Sequence, residues 1–581
     1  MAWSGMEQKK ARFWIEPLQV REVPHRDVRS DLKVGFVGSQ RLHGNLAFDC
    51  SIYPLTRQNY RAVLAAAGLD FILFEPTLHP TRKEWDVAAS DYQESVAALS
   101  QAAQDSGIPL VYWDTLGQCY DSVFSSIWPH FLHRYTADPA RQGDWRQLPP
   151  AIQPALHNPF RHRGDASLLD VSLLLDGMVD ISRRAADFEF LDSLESLGLG
   201  IFDSRYTFFP NKLRDLDQRF SRVFGHLPVE MAYKAYKFSR HYLTVSTTQK
   251  SPVARLFDCI EAAACGACVV DVGPVFIEGA FAELFKRVTP TELPVLLENT
   301  SEEQCSIQRQ LSLRTLVLNH TYRQRLVEIC RNLEIAYGEA PLPKISIFTP
   351  SNRPQLAEKV VEQFVKQTYP NKELVYVYNA TNPQELPEVV SSTEGLKFYS
   401  LPPEMNIGSC MNFAIGKASG EFCVKMDDDD FYGENYLLDI FVSLQCIAAD
   451  FWGKPPSYIY FESSDEFYFR VDANRRASPY SFCFANELDV DAFNIAGNTL
   501  GGCMPAMAAH AFSVSNVGAV DTIFHDMTGC GESVVAMLDS GNMAVFRSAD
   551  LSAHNWRIED DFLKRNSRRV AAGMCHENVF Y

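Results

Sequence analysis

The sequence predicts an α/β protein built from more than one unit, and three observations carry that expectation. Short apolar runs alternate with helical stretches through the first half of the chain. A proline-rich break, Gly338-Glu-Ala-Pro-Leu-Pro343, then separates that half from a second alternating region that starts afresh at Lys344. Within that second region an apolar segment, Phe422 to Met426, runs straight into four consecutive carboxylates, Asp427 to Asp430. At 581 residues the length suits about three to four domains.

In chain order, residues 1–30 read as a polar arm. The run Leu32-Lys-Val-Gly-Phe-Val-Gly38 has the pattern of a buried strand ending in small residues, and a helix follows over about Gln58–Ala67. Phe71–Glu75 is a strand, Tyr92–Gln104 a helix and Ile108–Asp114 a strand. This alternation predicts a parallel, doubly wound sheet over 31–155. Ligands of such sheets sit beyond the carboxyl ends of the strands, here near Gly38–Arg41, Glu75 and Asp114, although each of these singly suits a turn or cap better. A second alternating region over 156–300 contains the strands Leu199–Asp203 and Tyr242–Ser246. Its helix starts after Pro252 and stops at Gly266. Arg255, Asp258 and Glu261 share one face of that helix, either as a surface ion-pair ladder or with Glu261 accepting the two hydroxyls of a ribose. A helical segment and linker fill 301–343. Beyond them come the strand Lys344–Thr349, the turn Pro350–Pro354, a helix over Gln355–Gln367, the strand Glu373–Tyr378 and a helix opened by Asn406.

Composition is that of ordinary globular cores, with 46% hydrophobic and 22% charged residues. The net charge of −18 argues against nucleic acid as a partner. The 14 cysteines lack paired zinc-ribbon spacing, and Cys265-Gly-Ala-Cys268 lies in an apolar stretch that suits packing. Free thiols, no apolar leader in residues 1–30 and no run of about 18 apolar residues together point to a cytoplasmic chain without a transmembrane segment, peripheral contact with a membrane left open.

Four adjacent aspartates repel one another and are costly at a partly buried strand end unless something neutralises them. Mg²⁺ or Mn²⁺ does so while bridging carboxylates to phosphate oxygens. The spacing Asp427-x-Asp429 puts two carboxylates on one side of an extended backbone, the arrangement a metal–diphosphate clamp requires. A solvated acidic loop is the competing account of a charge run taken alone.

From Ile345 to Asp430 the second half resembles family 2 glycosyltransferases of the GT-A fold. The matching residues are Ser346-Ile-Phe-Thr-Pro-Ser-Asn-Arg353, Gln367-Thr-Tyr-Pro-Asn371, Asn406-Ile-Gly408 with Asn412, Ala418-Ser-Gly-Glu421 and the aspartate cluster. The resemblance implies a mixed sheet over 344–581, with Asp427 and Asp429 binding a nucleoside diphosphate through Mn²⁺ or Mg²⁺. It puts Pro350, Asn352 and Arg353 beside the nucleobase, and Asn379, Asn406, Asn412 and Asp428 around the donor. Two positions depart from the family pattern. Asn379 stands where an aspartate usually meets the base or ribose, and Glu532-Ser533 replaces a Glu-Asp pair whose Asp is the usual base. Glu532, or a neighbour such as Asp526, is then the candidate base. His554-Asn-Trp556 resembles the His-x-Trp found near the end of such domains, which makes His554 a third candidate for the metal or the diphosphate.

The first half is similar to CgeB-like glycosyltransferase domains of GT-B type, a pair of Rossmann-type lobes. That resemblance rests on Leu55-Thr-Arg-Gln-Asn59, Phe71–Glu75, Ile108–Trp113, His157-Asn-Pro159, Ser251-Pro252, Glu261-Ala-Ala-Ala-Cys-Gly266 and His320–Arg325. It implies that Glu261 holds a donor ribose and that the Gly266 turn approaches the nucleotide. Together the two resemblances predict transfer from a nucleotide sugar, most commonly a UDP-sugar, to a glycan or glycoconjugate in polysaccharide synthesis. Two alternatives are a non-catalytic carbohydrate- or nucleotide-binding scaffold and a metal-dependent nucleotidyltransferase or phosphodiesterase.

Overall fold

The structure is a computed structural model that describes residues 20–27, 30–78, 85–165, 171–176, 190–202, 222–225, 231–245, 251–273, 281–338, 340–380, 387–470, 478–487, 495–515, 531–550, 558–573 and 579–581. The chain divides into two compact units. The first comprises 1–21, 26–159 and 165–339, the second 22–25, 160–164 and 340–581. Two short pieces of the N-terminal half, 22–25 and 160–164, thus belong to the second unit, an exchange that a division of the sequence into consecutive segments does not anticipate.

The first unit holds two six-stranded parallel sheets. One is built from β1 (Lys33–Val37), β2 (Ser51–Pro54), β3 (Phe71–Phe74), β4 (Leu110–Asp114), β5 (His133–Thr136) and β6 (Arg146–Gln147), in the order β2-β1-β3-β4-β5-β6. Its central strands β3 and β4 are buried along their whole length, which is why they read as continuous apolar runs. The strand β7 (Arg161–His162) belongs to the second unit. The other parallel sheet contains β8 (Val171–Asp176), β9 (Leu199–Phe202), β10 (Val223–Gly225), β11 (Ser239–Val245), β12 (Cys268–Val272) and β13 (Lys286–Val288), in the order β10-β9-β8-β11-β12-β13. That is the doubly wound order in which the chain reverses direction across the sheet between its first and fourth strands. The predicted α/β class is therefore correct for this half.

Helix Pro252–Ala264 begins where the sequence places it, with the Ser251 side chain accepting the Ala254 N–H. Gly266 behind it adopts φ +95°, a left-handed conformation that glycine tolerates and a side chain does not. Helices Glu302–Asn319 and Tyr322–Asn332 each open with a capping box, at Ser301 and Thr321. The second of them returns to the first sheet: Tyr322, Leu326, Ile329 and Cys330 pack in the core with Val34, Phe36, Phe71 and Trp113.

The second unit is built on a nine-stranded mixed sheet. Its strands are β14 (Ile345–Ser351), β15 (Lys372–Tyr378), β16 (Leu396–Ser400), β17 (Phe422–Lys425), β19 (Phe451–Gly453), β22 (Ser481–Phe484), β23 (Gly501–Cys503) and β24 (Val534–Met537) with β7, in the order β16-β15-β14-β17-β23-β19-β24-β22-β7. The first four run parallel, and β23 reverses direction between β17 and β19. A second sheet contains β18 (Phe431–Tyr432), β20 (Tyr458–Phe461), β21 (Glu466–Phe469), β25 (Met543–Arg547) and β26 (Arg568–Ala572), in the order β18-β25-β20-β21-β26. The aspartate cluster is the short link between the two sheets, joining the end of β17 to the start of β18. Strand β14 is longer than predicted. Pro350 and Ser351 are buried strand residues paired with β15, and the turn begins only at Asn352. Proline is tolerated there because it occupies the last turn of the ladder, where one missing N–H costs least.

Candidate active site

The four aspartates lie on the bend between β17 and β18 and differ in burial. Asp428 and Asp430 are buried, whereas Asp427 and Asp429 are half-buried, with side chains 31% and 23% exposed.

Asp428 is fixed from below. The Ser351 hydroxyl donates to its Oδ2 at 2.5 Å, and Arg353 Nε donates to the same oxygen at 3.0 Å while another guanidinium nitrogen reaches Oδ1. The third guanidinium nitrogen, Nη1, donates to Asp429 Oδ2 at 2.9 Å. Burial works against the charge on Arg353, but its bonds to Asp428 and the charges of both aspartates hold its pKa above the usual range. Asp430 takes Asn498 Nδ2 at 2.5 Å and the Phe546 N–H at 3.0 Å. Burial, followed by the charges of Asp429 and Asp427, raises the Asp430 carboxyl to about 8 despite those two bonds. Asp427 pairs with Lys425 Nζ at 2.9 Å, and its N–H donates to the Tyr432 hydroxyl, which in turn donates to the Asn498 carbonyl. Lys359 donates to the Asp429 carbonyl and lies 4.0 Å from the centre of the Phe431 ring. Asp427, Asp429 and Asp430 offer one oxygen each, all within 4.8 Å of one another.

Three carboxylate oxygens converging at that separation form a hard, all-oxygen donor set of the kind that suits Mg²⁺ or Mn²⁺. Burial is the first cause of the elevated Asp430 carboxyl, and the charges of Asp429 and Asp427 add to it. The donor set therefore fits a divalent cation.

The other sequence candidates divide into groups. Pro350 and Asn352 flank Ser351 at the end of β14, Pro350 buried and Asn352 exposed. Asn379 follows β15, its N–H on the Ser351 carbonyl and its amide on the Met405 carbonyl at 3.1 Å. Asn406 caps helix Ile407–Lys417 by accepting the Ser409 N–H, and its amide also reaches the Val514 carbonyl. Asn412 exchanges two bonds with Phe512, accepting its N–H at 2.8 Å and donating to its carbonyl at 2.9 Å. The amides of Asn406 and Asn412 thus tie that helix to the 512–514 segment. Asp526 and His554 lie outside the described residues.

Glu532 is not brought to the cluster. It is exposed and precedes β24 by two residues. Val535 is level with Phe451, Phe451 with Gly502 and Gly502 with Cys423, and β24 runs in the same direction as β17. Glu532 is thus three residues below that level and Asp427 four above it, a separation of roughly 20 Å along the strands.

In the first unit, Arg255, Asp258 and Glu261 are buried and form no surface ladder. Arg255 instead pairs with Asp271 at 2.5 Å and donates to Thr244. Arg41, from the helix after β1, grips Glu261 with Nε at 2.9 Å and Nη2 at 2.7 Å, and reaches Asp258 at 3.0 Å. His157 Nε2 lies 3.8 Å from Glu261; burial, then the charges of Arg41 and Lys237, push its pKa well down. At the Gly266 turn the carbonyl accepts Arg309 Nε at 2.8 Å. The positions expected to meet a ribose and a nucleotide are thus both contacted by arginines of the same unit. Of the strand-end positions, Glu75 accepts the Ser39 N–H and the Thr115 hydroxyl, and Asp114 pairs with Arg141. Cys265 and Cys268 are buried, as a packing role requires.

Residues 346–460 match the sequence model of Glycosyl transferase family 2. That stretch contains the whole aspartate cluster with Ser351, Arg353, Lys359 and Lys425. The Escherichia coli (strain K12) protein WcaA, described as a colanic acid biosynthesis glycosyl transferase, is 33% identical over 99 residues, 16% of this chain and 36% of that one. The chain therefore spans about a third of that relative's length. Among solved structures, a Pyrobaculum calidifontis mannosyltransferase in complex with GDP-Man and Mn²⁺ aligns at 16% identity and TM-score 0.29, covering 44% of this chain and 69% of that one. TarS residues 1–349 from S. aureus in complex with UDP-GlcNAc align at 16% identity and TM-score 0.28, covering 35% and 58%.

Sequence reading missed several members of the cluster. Lys425 carried a signal, a charge inside an otherwise apolar strand two residues before Asp427. Ser351 and Lys359 lay within or beside the matched motifs without a distinguishing pattern. Asn498 and the Phe546 N–H had none, since they come from 68 and 116 residues away.

Proposed function

We propose that the second unit is a glycosyltransferase that moves a sugar from a nucleoside diphosphate sugar, with UDP the first base to test, to a hydroxyl of a glycan or glycoconjugate. One observation carries this reading: three carboxylates converge within 4.8 Å, on the strand-end link of a segment that matches family 2 glycosyl transferases. Asp427 and Asp429, with Asp430 behind them, are the residues that would hold Mn²⁺ or Mg²⁺. Such a cation supplies Lewis-acid neutralisation of the charge that builds on the leaving diphosphate. The chain's own part is positional. Ser351 and Asn498 fix Asp428 and Asp430, and Tyr432 orients the main chain at Asp427. Arg353 and Lys359 supply positive charge beside the diphosphate's place. The acceptor hydroxyl needs a carboxylate as base. With Glu532 at the opposite end of the strands, Asp526 is the candidate, and His554 is kept as an added ligand to cation or diphosphate.

The first unit, with its two parallel sheets, is proposed as a GT-B-type, CgeB-like module in an accessory role. The Arg41 grip on Glu261 supports that role over a second donor site, and a chain of two transferase-like modules suits polysaccharide assembly.

The test is release of nucleoside diphosphate from UDP-, GDP-, CDP- and dTDP-sugars, with Mn²⁺ and then with EDTA. Release from one donor, lost with EDTA and lost in Asp429→Ala by at least a hundredfold, is the expected result. Wild-type turnover in a folded Asp429→Ala protein would overturn the assignment, and pyrophosphate or nucleoside monophosphate as product would indicate nucleotidyl or phosphodiester chemistry.

A further inference from the structure

We propose that Arg353 is a resident counter-ion that competes with the divalent cation for the aspartate cluster and gives way when a nucleoside diphosphate arrives. This rests on the metal-site reading above and adds a regulation of that site.

The guanidinium occupies two carboxylates at once: it is bidentate on buried Asp428, and its Nη1 is on Asp429 Oδ2 at 2.9 Å. Asp429 is also one of the three residues whose oxygens converge. A cation bound there would sit beside a fixed positive charge, and two like charges a few ångströms apart on a partly desolvated site repel strongly. The repulsion must weaken one of the two partners.

Of the three cations that the described residues bring to the cluster, Arg353 is the one placed to yield. Lys425 is buried and paired with Asp427, and Lys359 is held by the Asp429 main-chain carbonyl and the Phe431 ring. Arg353 is 29% exposed and sits just past the end of β14 on the turn that opens at Asn352. Its departure leaves Asp428 with the Ser351 hydroxyl. A planar guanidinium that loses a carboxylate finds in a diphosphate a partner of the same forked geometry and greater charge. Diphosphate and cation then favour each other's binding, since the one removes the competitor of the other.

The experiment is calorimetric titration of Mn²⁺ into the full chain, with and without UDP, for the wild type, Arg353→Ala, Arg353→Gln and Asp429→Ala. Arg353→Gln retains a hydrogen-bond donor toward Asp428 without the charge, which protects the result should the alanine variant misfold. In the wild type, Mn²⁺ is expected to bind weakly alone and at least tenfold more tightly with UDP. In Arg353→Gln it should bind about tenfold more tightly than wild type in the absence of UDP, and the gain from UDP should shrink by the same factor, leaving what the phosphate oxygens themselves contribute to the cation. Mn²⁺ affinity unchanged or reduced in both arginine variants, with binding lost in Asp429→Ala, overturns the competition while leaving the metal site standing. No Mn²⁺ binding to any form, with or without UDP, overturns both readings.

Discussion

Lys454→Met tests the support under the cluster. Lys454 and Asp539 are each 1% exposed, and the ammonium contacts both carboxylate oxygens, at 2.9 and 2.8 Å. The same ammonium donates to the Gly541 carbonyl at 3.0 Å, and Asp539 accepts the Gly541 N–H at 2.8 Å. Removing one partner of such a pair leaves the other charge buried and uncompensated, at a cost of about 3–5 kcal/mol. Replacing both, in Lys454→Met with Asp539→Leu, removes the stranded charge; the Gly541 carbonyl is unbonded in either variant, and the double adds the Gly541 N–H at about 1–3 kcal/mol. The double variant is therefore expected to be more stable than the single one. Hydrogen exchange on peptides of β19 and β24 reads this locally: a loss of about 3 kcal/mol lowers protection more than a hundredfold. The pH dependence of the single variant follows from the direction of the shift. Burial already raises the Asp539 carboxyl, and Lys454 opposes that rise. Without the ammonium the folded value lies further above the unfolded one, about 3.9. Stability of Lys454→Met is then greatest below that pH and falls as pH rises through the window up to the folded value. A single variant within 1 kcal/mol of wild type, or a double variant less stable than the single, would refute the reasoning.

Two further outcomes follow from the structure. Glu373 is held at about 2: burial alone would raise it, but the Ser346 hydroxyl, the Ser419 N–H, Lys344 and Lys397 outweigh that. A depressed carboxylate stabilises the fold above its unfolded value of about 4.3 and loses that contribution as pH falls toward 2. Because Lys344 and Lys397 are 36% and 38% exposed, solvent screening reduces the contribution to about 1–2 kcal/mol, so Glu373→Gln should flatten acid unfolding between about pH 4.5 and 2. Glu261→Ala should destabilise the first unit, since half-buried Arg41 loses both bonds to Glu261 and keeps Asp258 as its ion pair among the described residues, yet leave the set of glycosidic linkages formed unchanged; loss of one specific linkage would establish a second donor site.

Local pattern made much of this legible. The apolar runs marked β3, β4, β9 and β15, Ser251-Pro252 marked a helix start, and Asn406 marked another. The cluster Asp427 to Asp430 was readable because its members are consecutive in the chain. Partners contributed from a distance were not readable. Arg41 and Glu261 are 220 residues apart, and nothing local to either announces that they meet. The same holds for Glu532. Its neighbours fit a motif, but its position relative to the cluster depends on the register of β24 against β19 and β23, which no local pattern encodes.

The four aspartates of the cluster differ in how the fold holds them. If all four faced outward, their mutual repulsion would expel the link between β17 and β18 from the sheet. Asp428 and Asp430 are instead buried, Asp428 held by the Ser351 hydroxyl and Asp430 by Asn498 and the Phe546 N–H. Those bonds tie the link to the end of β14, to the Asn498 turn and to β25, three separate elements of the unit. Asp427 and Asp429 are thereby set in place by their neighbours rather than by any ligand. Such pre-organisation matters for a site that must neutralise charge as it develops, because donors already in position need not reorganise during reaction. On this account the buried pair determines how far apart the half-buried pair is held. Changing Asp428 would disturb cation binding as surely as changing Asp429, though by loosening the link and not by removing a ligand.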